Sequence, residues 1–372
     1  MYFLVHFYIK NLSKNKKIIV IIQRSNGDVF LTSSLIKSLH EYYDYPQIDL
    51  LVNEDTFSVA KLIPYINKIY TFSYSKKEKS RWKQEKNIVV KLFKKYDLSI
   101  NLTASDRSVI YALISGKTSI SCVDRASKKS WWKKLLLTYY YYFDNSKHIL
   151  LNNLEPLKFL KINFNKIHYP IEASDQTIKK VKKKLEINNI NDFFIFHAST
   201  QYRYKTYPKK LRDQLLFRLS KLGISIIVTG GNNSIDLEIK KDLPHLPNLY
   251  NFIGETSIEE YIELSRLSQC YIGMDTLNMH IAASQNKRIF AIFGPTNLQM
   301  WSPWSNQLQK SSGINQPIQT YGNITIFQAD MPCVACGKAG CNNDFKNSDC
   351  LDKIDPSIIS NNVNKWYESI RI

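Results

Sequence analysis

The sequence predicts an α/β protein built from two consecutive units, each with a parallel sheet. Short apolar runs typical of buried strands alternate with helical patterns over the first half of the chain, and this series breaks near Pro170. A second series of the same kind follows. Strands that alternate with helices favour a parallel sheet, because each connection must return to the opposite end of the sheet. We therefore expect the functional site in the cleft between the units, at the carboxyl ends of the strands.

The strand patterns can be placed in order along the chain. The first unit has KIIVIIQ (17–23), then a helical face with Leu31, Leu35 and Leu39, and then IDLLVN (48–53), INKIYTFS (66–73) and YDLSINLT (96–103). The second unit starts with a helix whose outer face is rich in lysine, followed by FFIFHAS (193–199), GISIIVTGG (223–231), CYIGMD (270–275) and RIFAIFGPT (288–296). The predicted domains are 1–172 and 173–355.

Composition and charge limit the classes of function. The chain has 372 residues, 44% of them hydrophobic, which is enough to fill two cores. Its 51 Lys and Arg against 32 Asp and Glu give a net charge of +19, which favours an anionic partner such as nucleic acid, a membrane surface or a phosphorylated substrate. An AT-rich genome would also enrich lysine, so this interpretation stays open.

The sequence predicts neither a membrane span nor a secretory signal. No apolar run reaches about 18 residues, the length that a spanning helix needs. The start, MYFLVHFYIKNLSKNKK (1–17), lacks a leading basic region and a small-residue cleavage site. We expect a cytoplasmic protein, and the first residues could form an edge segment or touch a membrane surface.

Asp28 follows a predicted buried strand and lies at the start of a predicted helix. An aspartate in that place commonly caps the helix, because its carboxylate accepts backbone N–H bonds and favours the positive helix end. The alternative is a general base, since a carboxylate at the carboxyl end of a strand would point into the cleft. The sequence is compatible with both.

The loop that follows the strand pattern at 193–199 carries Ser199, Thr200, Arg203 and Lys205. Hydroxyl groups and cations beyond a strand end suit a phosphate group, with the lysine as a point charge. A solvated basic loop explains the same residues. The glycine-rich turn TGGNN (229–233), which also follows a strand pattern, is a weak signal by itself.

The stretch GMDTLNMHIAAS (273–284) places an acid, a hydroxyl and a histidine where a predicted strand runs into a helix. Asp275 and Thr276 are predicted to cap that helix, whose first N–H groups could bind a pyrophosphate. His280 lies one turn further along, on the side of the cap. As an isolated observation, a histidine in this place is more often a hydrogen-bonded core residue than a ligand-binding one.

Five segments, in this order and spacing, carry a family resemblance: RSNGDVFLT (24–32), HASTQYRYKTYP (197–208), IVTGG (227–231), GETSIEEYIELSRLSQCYIGMDTLNMHIAA (254–283) and IFGPT (292–296). Together they resemble glycosyltransferase family 9, the ADP-heptose:lipopolysaccharide heptosyltransferases, most strongly from 193 to 304. The resemblance implies a GT-B fold, in which two Rossmann-like domains face each other across a cleft. It also implies that the second domain holds most of the donor and that a last helix, within 356–372, packs back on the first.

The resemblance further implies inverting, metal-independent sugar transfer without a required cofactor. Asp28 matches the base that takes the proton of the acceptor hydroxyl, Lys205 matches the lysine near the donor phosphates, and Asp275 with Thr276 matches the pair that closes on the sugar nucleotide. Independently, the sequence has no DxD triplet to hold a divalent ion, so Lys205 and helix N-termini would carry the leaving-group charge. The predicted donor-binding residues are Ser199, Thr200, Lys205, Gly230, Gly231, Thr256, Asp275, Thr276 and His280.

Three departures from the family pattern bear on the donor. The family commonly has DTGPMH where this chain has Leu277 and Asn278 within DTLNMH, so a close approach of backbone to phosphate is in question. It often has His-Pro-Gly where this chain has His197, Ala198 and Ser199. The family's acidic residue for the ribose hydroxyls aligns only loosely, on Asp236 or Glu238.

Four of the six cysteines fall within PCVACGKAGCNNDFKNSDC (332–350): Cys333, Cys336, Cys341 and Cys350. They could hold a structural zinc ion, although the spacing to the last two is irregular, and free thiols in a stable loop are the alternative. A disulfide is not expected in a reducing cytoplasm.

The resemblance implies a glycosyltransferase that moves a heptose from an ADP-sugar to the lipopolysaccharide or lipooligosaccharide core, and we expect it at the inner face of the bacterial inner membrane. The basic surface would contact anionic lipid and a glycolipid acceptor, and the stretch WWKKLLLTYYYYF (131–143) is either that contact or a partly buried helix. A different nucleotide sugar and a non-catalytic sugar-nucleotide binder are the alternatives. Nucleic-acid binding has only the net charge in its favour, so no nucleic-acid partner is predicted.

Overall fold

The computed structural model describes residues 15–125, 130–164, 166–167 and 171–371. Its contacts divide the chain into two compact units, Met1–Ile171 and Glu172–Ile372, one residue from the predicted boundary. The predicted edge or membrane-contacting segment at the start lies almost entirely outside the described residues. Within the described ranges, no helix is both long and apolar enough to cross a bilayer.

The first unit contains a six-stranded sheet with the order β3-β2-β1-β4-β5-β6. Its strands are β1 (Lys17–Ile22), β2 (Gln47–Asn53), β3 (Ile66–Phe72), β4 (Tyr96–Asn101), β5 (Gly116–Val123) and β6 (Tyr139–Tyr142). Every neighbouring pair is parallel, as the sequence predicted. The continuous apolar run of β1 reflects its central place, because both of its faces are covered.

The helices of the first unit are α1 (Asn26–Phe30), α2 (Ser33–Tyr42), α3 (Phe57–Ala60), α4 (Lys77–Leu92), α5 (Asp106–Ser115), α6 (Trp131–Leu136) and α7 (Ile149–Phe159). Helices α4, α5 and α6 form one layer. Ile88 of α4 and Tyr111 of α5 share a cluster with β1, and Val109 of α5 shares the next with Trp132 of α6. The stretch 131–143 is therefore a short helix followed by the edge strand β6, so the alternative of one partly buried helix is wrong, and its contact with acceptor or membrane stays a prediction.

The second unit contains a seven-stranded sheet with the order β12-β13-β11-β10-β7-β8-β9. Its strands are β7 (Phe193–His197), β8 (Ser225–Thr229), β9 (Leu249–Asn251), β10 (Cys270–Met274), β11 (Arg288–Ile292), β12 (Ile318–Tyr321) and β13 (Ile324–Phe327). All pairs are parallel except the hairpin of β12 with β13. Gly273 is required in β10, because a Cβ there would lie 2.4 Å from the His197 carbonyl oxygen on β7.

The helices of the second unit are α8 (Asp175–Ile187), α9 (Lys209–Ser220), α10 (Ser234–Lys241), α11 (Ile258–Leu267), α12 (Leu277–Ser284), α13 (Leu298–Trp301), α14 (Asp349–Asp352) and α15 (Pro356–Ser369). The last helix packs within this unit: Trp366 and Tyr367 lie against Phe194, and Trp366 also against Phe290. Its packing on the first domain stays a prediction.

The strand order sets where ligands can bind in each unit. In the first sheet the order reverses between β1 and β4, and in the second between β7 and β10. Loops that leave two such strands turn in opposite directions, which opens a crevice at their carboxyl ends. Asp28 follows β1, Lys205 follows β7 and Asp275 follows β10, so all three lie at a reversal point.

Candidate active site

Asp28 lies in the first turn of α1, and one of its carboxylate oxygens closes that turn. The Ser25 hydroxyl donates to Oδ2 at 2.5 Å, and the Ser25 backbone N–H donates to the same oxygen at 3.3 Å. The carboxylate is therefore part of the helix cap, which was one of the two interpretations of the sequence. The side chain is buried, so this bond fixes its orientation.

The second oxygen of Asp28 is buried and pairs with a cation. Oδ1 lies 2.8 Å from Nε of Arg24, whose guanidinium rests over the Phe143 ring at 5.0 Å. This ion pair lacks the alignment of a hydrogen bond, and within the described structure Oδ1 accepts none. A proton acceptor of this kind is what a general base needs. Arg24, which sequence reasoning missed, supplies the compensating positive charge.

Gln23, five residues before Asp28, has a side-chain amide without a hydrogen-bond partner in the described part of the chain. It follows β1 directly and is buried, and neither polar atom of its side-chain amide has a partner among the described residues. Its backbone N–H is anchored by the Thr103 hydroxyl at 3.0 Å. Because buried polar groups are nearly always paired, this unpaired amide at the end of β1 indicates a place where a polar ligand binds.

In the second unit, Lys205 and Asp275 form an ion pair across the ends of β7 and β10. Lys205 ends the short 3₁₀ turn Arg203–Lys205, and its Nζ lies 3.8 Å from Oδ2 of Asp275. Burial raises the pKa of Asp275, while Lys205 and a hydrogen bond from the Thr296 hydroxyl oppose that rise. Thr296 belongs to the IFGPT segment, but nothing in the sequence indicated this contact.

The two hydroxyls predicted to contact phosphate are already bonded within the chain. The Ser199 hydroxyl donates to Oδ1 of Asp236, and the Thr200 hydroxyl donates to the carbonyl of Tyr202 at 2.6 Å. Phosphate binding through either hydroxyl would require that bond to break. Lys205 is thus better placed than these hydroxyls to meet an anion.

The glycines of the TGG turn make room for Asp236. A Cβ on Gly230 would lie 2.9 Å from one carboxylate oxygen of Asp236, and a Cβ on Gly231 would lie 3.0 Å from the other. Asp236 is buried and also accepts the backbone N–H of Asn233 at 3.0 Å, which caps α10. These contacts are those of a structural residue. Both carboxylate oxygens of Asp236 already accept hydrogen bonds within the chain, so the predicted contact with a ribose has no support in this structure.

Glu238, the other acidic residue predicted near the ribose, forms a two-pronged ion pair with Arg203, with distances of 2.9 and 2.5 Å. Its hydrogen bonds from Arg203 hold the pKa of Glu238 below its usual value. Both side chains line a cavity of about 300 Å³, so a ligand there would meet a cation and a carboxylate together.

The start of α12 differs in detail from the prediction. Thr276 is the N-cap residue, but its side chain makes no capping bond and lies 3.5 Å from the Tyr271 hydroxyl. Asp275 precedes the cap and pairs with Lys205 instead. Leu277 opens the helix and is half-buried. The side chains that were expected to cap α12 therefore leave its first N–H groups to other partners.

His280 is buried one turn into α12, and its Nδ1 has no hydrogen-bond partner among the described residues. Its ring lies 6.4 Å from that of Trp301. Burial lowers the pKa of His280 to about 4, so the ring is neutral at pH 7. The core histidine expected as the alternative would be fully hydrogen-bonded, whereas Nδ1 of His280 has no partner in the described structure. Thr256, also predicted to bind the donor, is half-buried just before the cap of α11.

The cysteine-rich segment packs against the IFGPT loop. The Gly337 N–H donates to the Pro295 carbonyl at 2.7 Å, and Leu351 fills the space beside Gly294. Burial and the nearby thiols of the other three cysteines raise the pKa of Cys350 to about 12. In the part of the chain that the structure describes, no three His, Cys, Asp or Glu side chains converge as metal ligands. The described side chains therefore give no support to a zinc site at these cysteines, and that site stays a prediction.

Comparison with known proteins identifies relatives for most of the chain. The model of "Glycosyltransferase family 9 (heptosyltransferase)" matches residues 86–328. Lipopolysaccharide heptosyltransferase 3 of Escherichia coli K12 is 26% identical over 314 residues, which cover 80% of this chain and 88% of that protein. Lipooligosaccharide heptosyltransferase 2 of Campylobacter jejuni is 21% identical over 212 residues, covering 55% and 59%.

Solved structures of similar fold include enzymes bound to nucleotide sugars. The E. coli ADP-heptose lipopolysaccharide heptosyltransferase II superposes with a TM-score of 0.70 at 16% identity, covering 96% of this chain and 100% of that one. E. coli heptosyltransferase WaaC with ADP-2-deoxy-2-fluoro heptose superposes with a TM-score of 0.68 at 15% identity, covering 95% and 99%. At this level of identity the likeness concerns the fold.

Proposed function

The chain belongs to glycosyltransferase family 9 and has an α/β fold of the GT-B class, and from this we propose that it transfers a heptose from ADP-heptose to the core of lipopolysaccharide. The relatives named as lipopolysaccharide heptosyltransferases support both the sugar and the acceptor. The acceptor would be an anionic glycolipid. The reaction would take place in the cytoplasm, at the inner face of the inner membrane.

The observation that carries the proposal is the Lys205–Asp275 pair at the point where the second sheet reverses its strand order. A nucleoside diphosphate leaves with negative charge on its phosphates, and a cation that meets that charge lowers the barrier. In this structure the Lys205 ammonium pairs with the Asp275 carboxylate. A bound pyrophosphate would compete for the lysine, and Asp275 would then be free to accept a hydroxyl of the sugar.

Asp28 would act as the base of a single displacement. Its Oδ1 takes the proton of the acceptor hydroxyl, the oxygen attacks the anomeric carbon of the donor, and the bond from that carbon to the phosphate oxygen breaks with its electron pair. Attack from the side opposite the leaving group inverts the anomeric configuration. We propose that the transfer needs no metal, because Lys205 and the N-terminus of α12 supply positive charge. Full activity in the presence of EDTA is the expected result.

The test is transfer from ADP-heptose to a heptose-containing core acceptor, together with thermal shifts in ADP, UDP, GDP and dTDP. A ligand that binds only the folded chain raises its melting temperature. We expect ADP alone to do so. Lys205→Gln should weaken ADP binding by about tenfold or more, since a charge-assisted contact is lost. Lys209→Gln is the matched control, because Lys209 pairs on the surface with Asp213 at 2.9 Å.

The results would separate the alternatives. A thermal shift with a nucleotide other than ADP would be compatible with a glycosyltransferase but would assign it a different donor. Binding of ADP without transfer to any core acceptor would favour a non-catalytic sugar-nucleotide binder, for which Leu277 at the start of α12 is the supporting observation. Equal losses in Lys205→Gln and Lys209→Gln would contradict the assigned phosphate contact. A gel shift that depends on salt would reopen nucleic-acid binding.

A further inference from the structure

The outer side of the layer formed by α4, α5 and α6 exposes large apolar side chains. Trp82 is 82% exposed and Trp131 is 67% exposed, and they are the two exposed tryptophans among the six of the chain, all of which are described. The other exposed apolar residues of this layer are Val90, Phe93, Ile110, Leu135 and Leu136. We call these seven residues the apolar set. Single exposed apolar residues are ordinary on protein surfaces, but a set on one layer indicates a contact surface.

The helical periodicity bears on five of the seven residues of the apolar set. Trp82 and Val90 are eight residues apart, which places them on one side of α4, and Phe93 directly follows the helix. Ile88 and Leu92, on the other side, are buried against the sheet. On α6, Trp131 and Leu135 are four residues apart and share a side. Helix α4 therefore has two apolar sides, and only the side with Ile88 and Leu92 has a partner in the described structure.

Positive charge surrounds the apolar set. Between Ser80 and Lys95 the described side chains include six exposed cations, at Arg81, Lys83, Lys86, Lys91, Lys94 and Lys95. Glu85 is the acid of that stretch, and it is half-buried and accepts the Tyr111 hydroxyl. On the α6 side, Lys134 and Arg125 lie over the Tyr142 ring, each at 5.1 Å.

One lysine of the same region is not available to a ligand. Nζ of Lys133 is buried, where it donates to the Ala104 carbonyl at 2.7 Å and pairs with Asp106 at 2.6 Å. This bond orients α6 so that Trp131 and Leu135 face solvent. The structural lysine thus explains how the helix presents its apolar side.

We propose that the outer side of the α4–α6 layer docks on an anionic phospholipid bilayer. Tryptophan prefers the headgroup level, leucine and valine enter the acyl boundary, and lysines meet the lipid phosphates. A second copy of the chain would bring the same cations face to face, which opposes a symmetric dimer through this surface. A nucleic acid would meet the cations but would leave the apolar side chains without a partner.

The test is co-sedimentation of the full chain with vesicles of phosphatidylcholine alone and of phosphatidylcholine with phosphatidylglycerol. We expect binding to the vesicles that contain phosphatidylglycerol. Trp82→Ser and Trp131→Ser should each lower the partition coefficient about tenfold or more, because each removes a large apolar side chain from the interface. Lys83→Gln and Lys86→Gln should each lower the partition coefficient on anionic vesicles about fivefold and should not change binding to phosphatidylcholine vesicles.

The matched controls are Ile187→Ser and Phe217→Ser, which remove exposed apolar side chains of the second unit. Unchanged melting temperatures would show that all the variants fold. The inference is overturned if the chain does not bind anionic vesicles, if the tryptophan variants bind like the natural sequence, or if the controls lose as much. Loss of dimerisation in the tryptophan variants would assign the surface to a second copy and would also overturn it.

This inference is separable from the proposed transferase activity. Transfer to a soluble, deacylated acceptor should be the same in the natural sequence and in Trp82→Ser, because Trp82 lies outside the candidate site. If no transfer occurs but the vesicle results are as expected, the proposed function fails and the docking surface stands. If transfer occurs and vesicles are not bound, the docking surface fails and the proposed function stands.

Discussion

The Lys205–Asp275 pair offers a quantitative test of the site in the second unit. At the separation of 3.8 Å between Nζ and Oδ2, two unit charges attract by about 4 kcal/mol at an effective dielectric of about 20 and by about 1 kcal/mol in water. The Lys205 side chain is 28% exposed and that of Asp275 is 11% exposed, so screening leaves a net coupling of about 1–2 kcal/mol.

The two single variants should behave differently. Lys205→Gln leaves a buried carboxylate without its cation, so the free energy of unfolding at pH 7 should fall by about 1–2 kcal/mol. Asp275→Asn removes the buried charge, and the Asn carbonyl can still accept the Thr296 hydroxyl, so that variant should be as stable as the natural sequence or slightly more so. The double variant should resemble Asp275→Asn.

The pH dependence of the Lys205→Gln effect follows from the pKa of Asp275. Burial raises this pKa in the folded chain, so the folded state binds the proton more tightly than the unfolded state does, and stability falls as the pH rises through the folded pKa. Removing Lys205 raises the pKa further. The cost of Lys205→Gln should therefore be largest at neutral pH and should shrink toward pH 4.

The measurement is urea unfolding of the four proteins of this double-mutant cycle at pH 7 and near pH 4. A coupling below about 0.3 kcal/mol at pH 7, or an equal loss in both single variants, would refute the pairing. Titration with ADP completes the cycle. Asp275→Asn should retain ADP binding because it removes a negative charge near the phosphates, and it should lose transfer.

Three further outcomes are expected. Asp28→Asn should lower turnover about 10²- to 10⁴-fold while the ADP-induced thermal shift remains, and retained turnover would reject the assigned base. Gly294→Ala should lower the free energy of unfolding by about 1–3 kcal/mol in urea, because its Cβ would lie 2.9 Å from Leu351. Burial lowers the pKa of His197 and of His280 to about 4, so the unfolded chain binds protons at these rings that the folded chain does not. Urea unfolding should therefore show a loss of about 3 kcal/mol in the free energy of unfolding per histidine between pH 7 and pH 4, and His280→Gln should remove the loss due to His280.

The fold was predictable because its signals are local. Buried parallel strands are apolar on both faces, so segments such as KIIVIIQ and FFIFHAS identify strands without any knowledge of their neighbours. The prediction of two α/β units is confirmed, and so is the family. The short edge strand β6 was missed, because four tyrosines after a tryptophan-rich helix give no alternation of polar and apolar residues.

The atoms of the site were less predictable than its residues. Ser199 and Thr200 looked like free hydroxyl donors, yet the partner of Ser199 is Asp236, 37 positions further along the chain. The role of Arg24 beside Asp28 was also missed, because a basic residue four positions before an acid is common in a chain with 51 Lys and Arg. The Ser199–Asp236 contact has no signature in spacing, and the i,i+4 spacing of Arg24 and Asp28 is too common in this chain to single out the pair.

The sequence by itself determined which residues follow the carboxyl end of a strand, and it thereby selected Asp28, Lys205 and Asp275. That selection is possible because a strand and the turn after it are encoded by neighbouring residues. Only the tertiary structure decided which oxygen of Asp28 accepts no hydrogen bond and that the Thr296 hydroxyl donates to Asp275. It also decided that Trp82 and Trp131 face outward on one layer. Those features depend on strand order and helix packing, which join residues far apart in the chain and leave no local pattern.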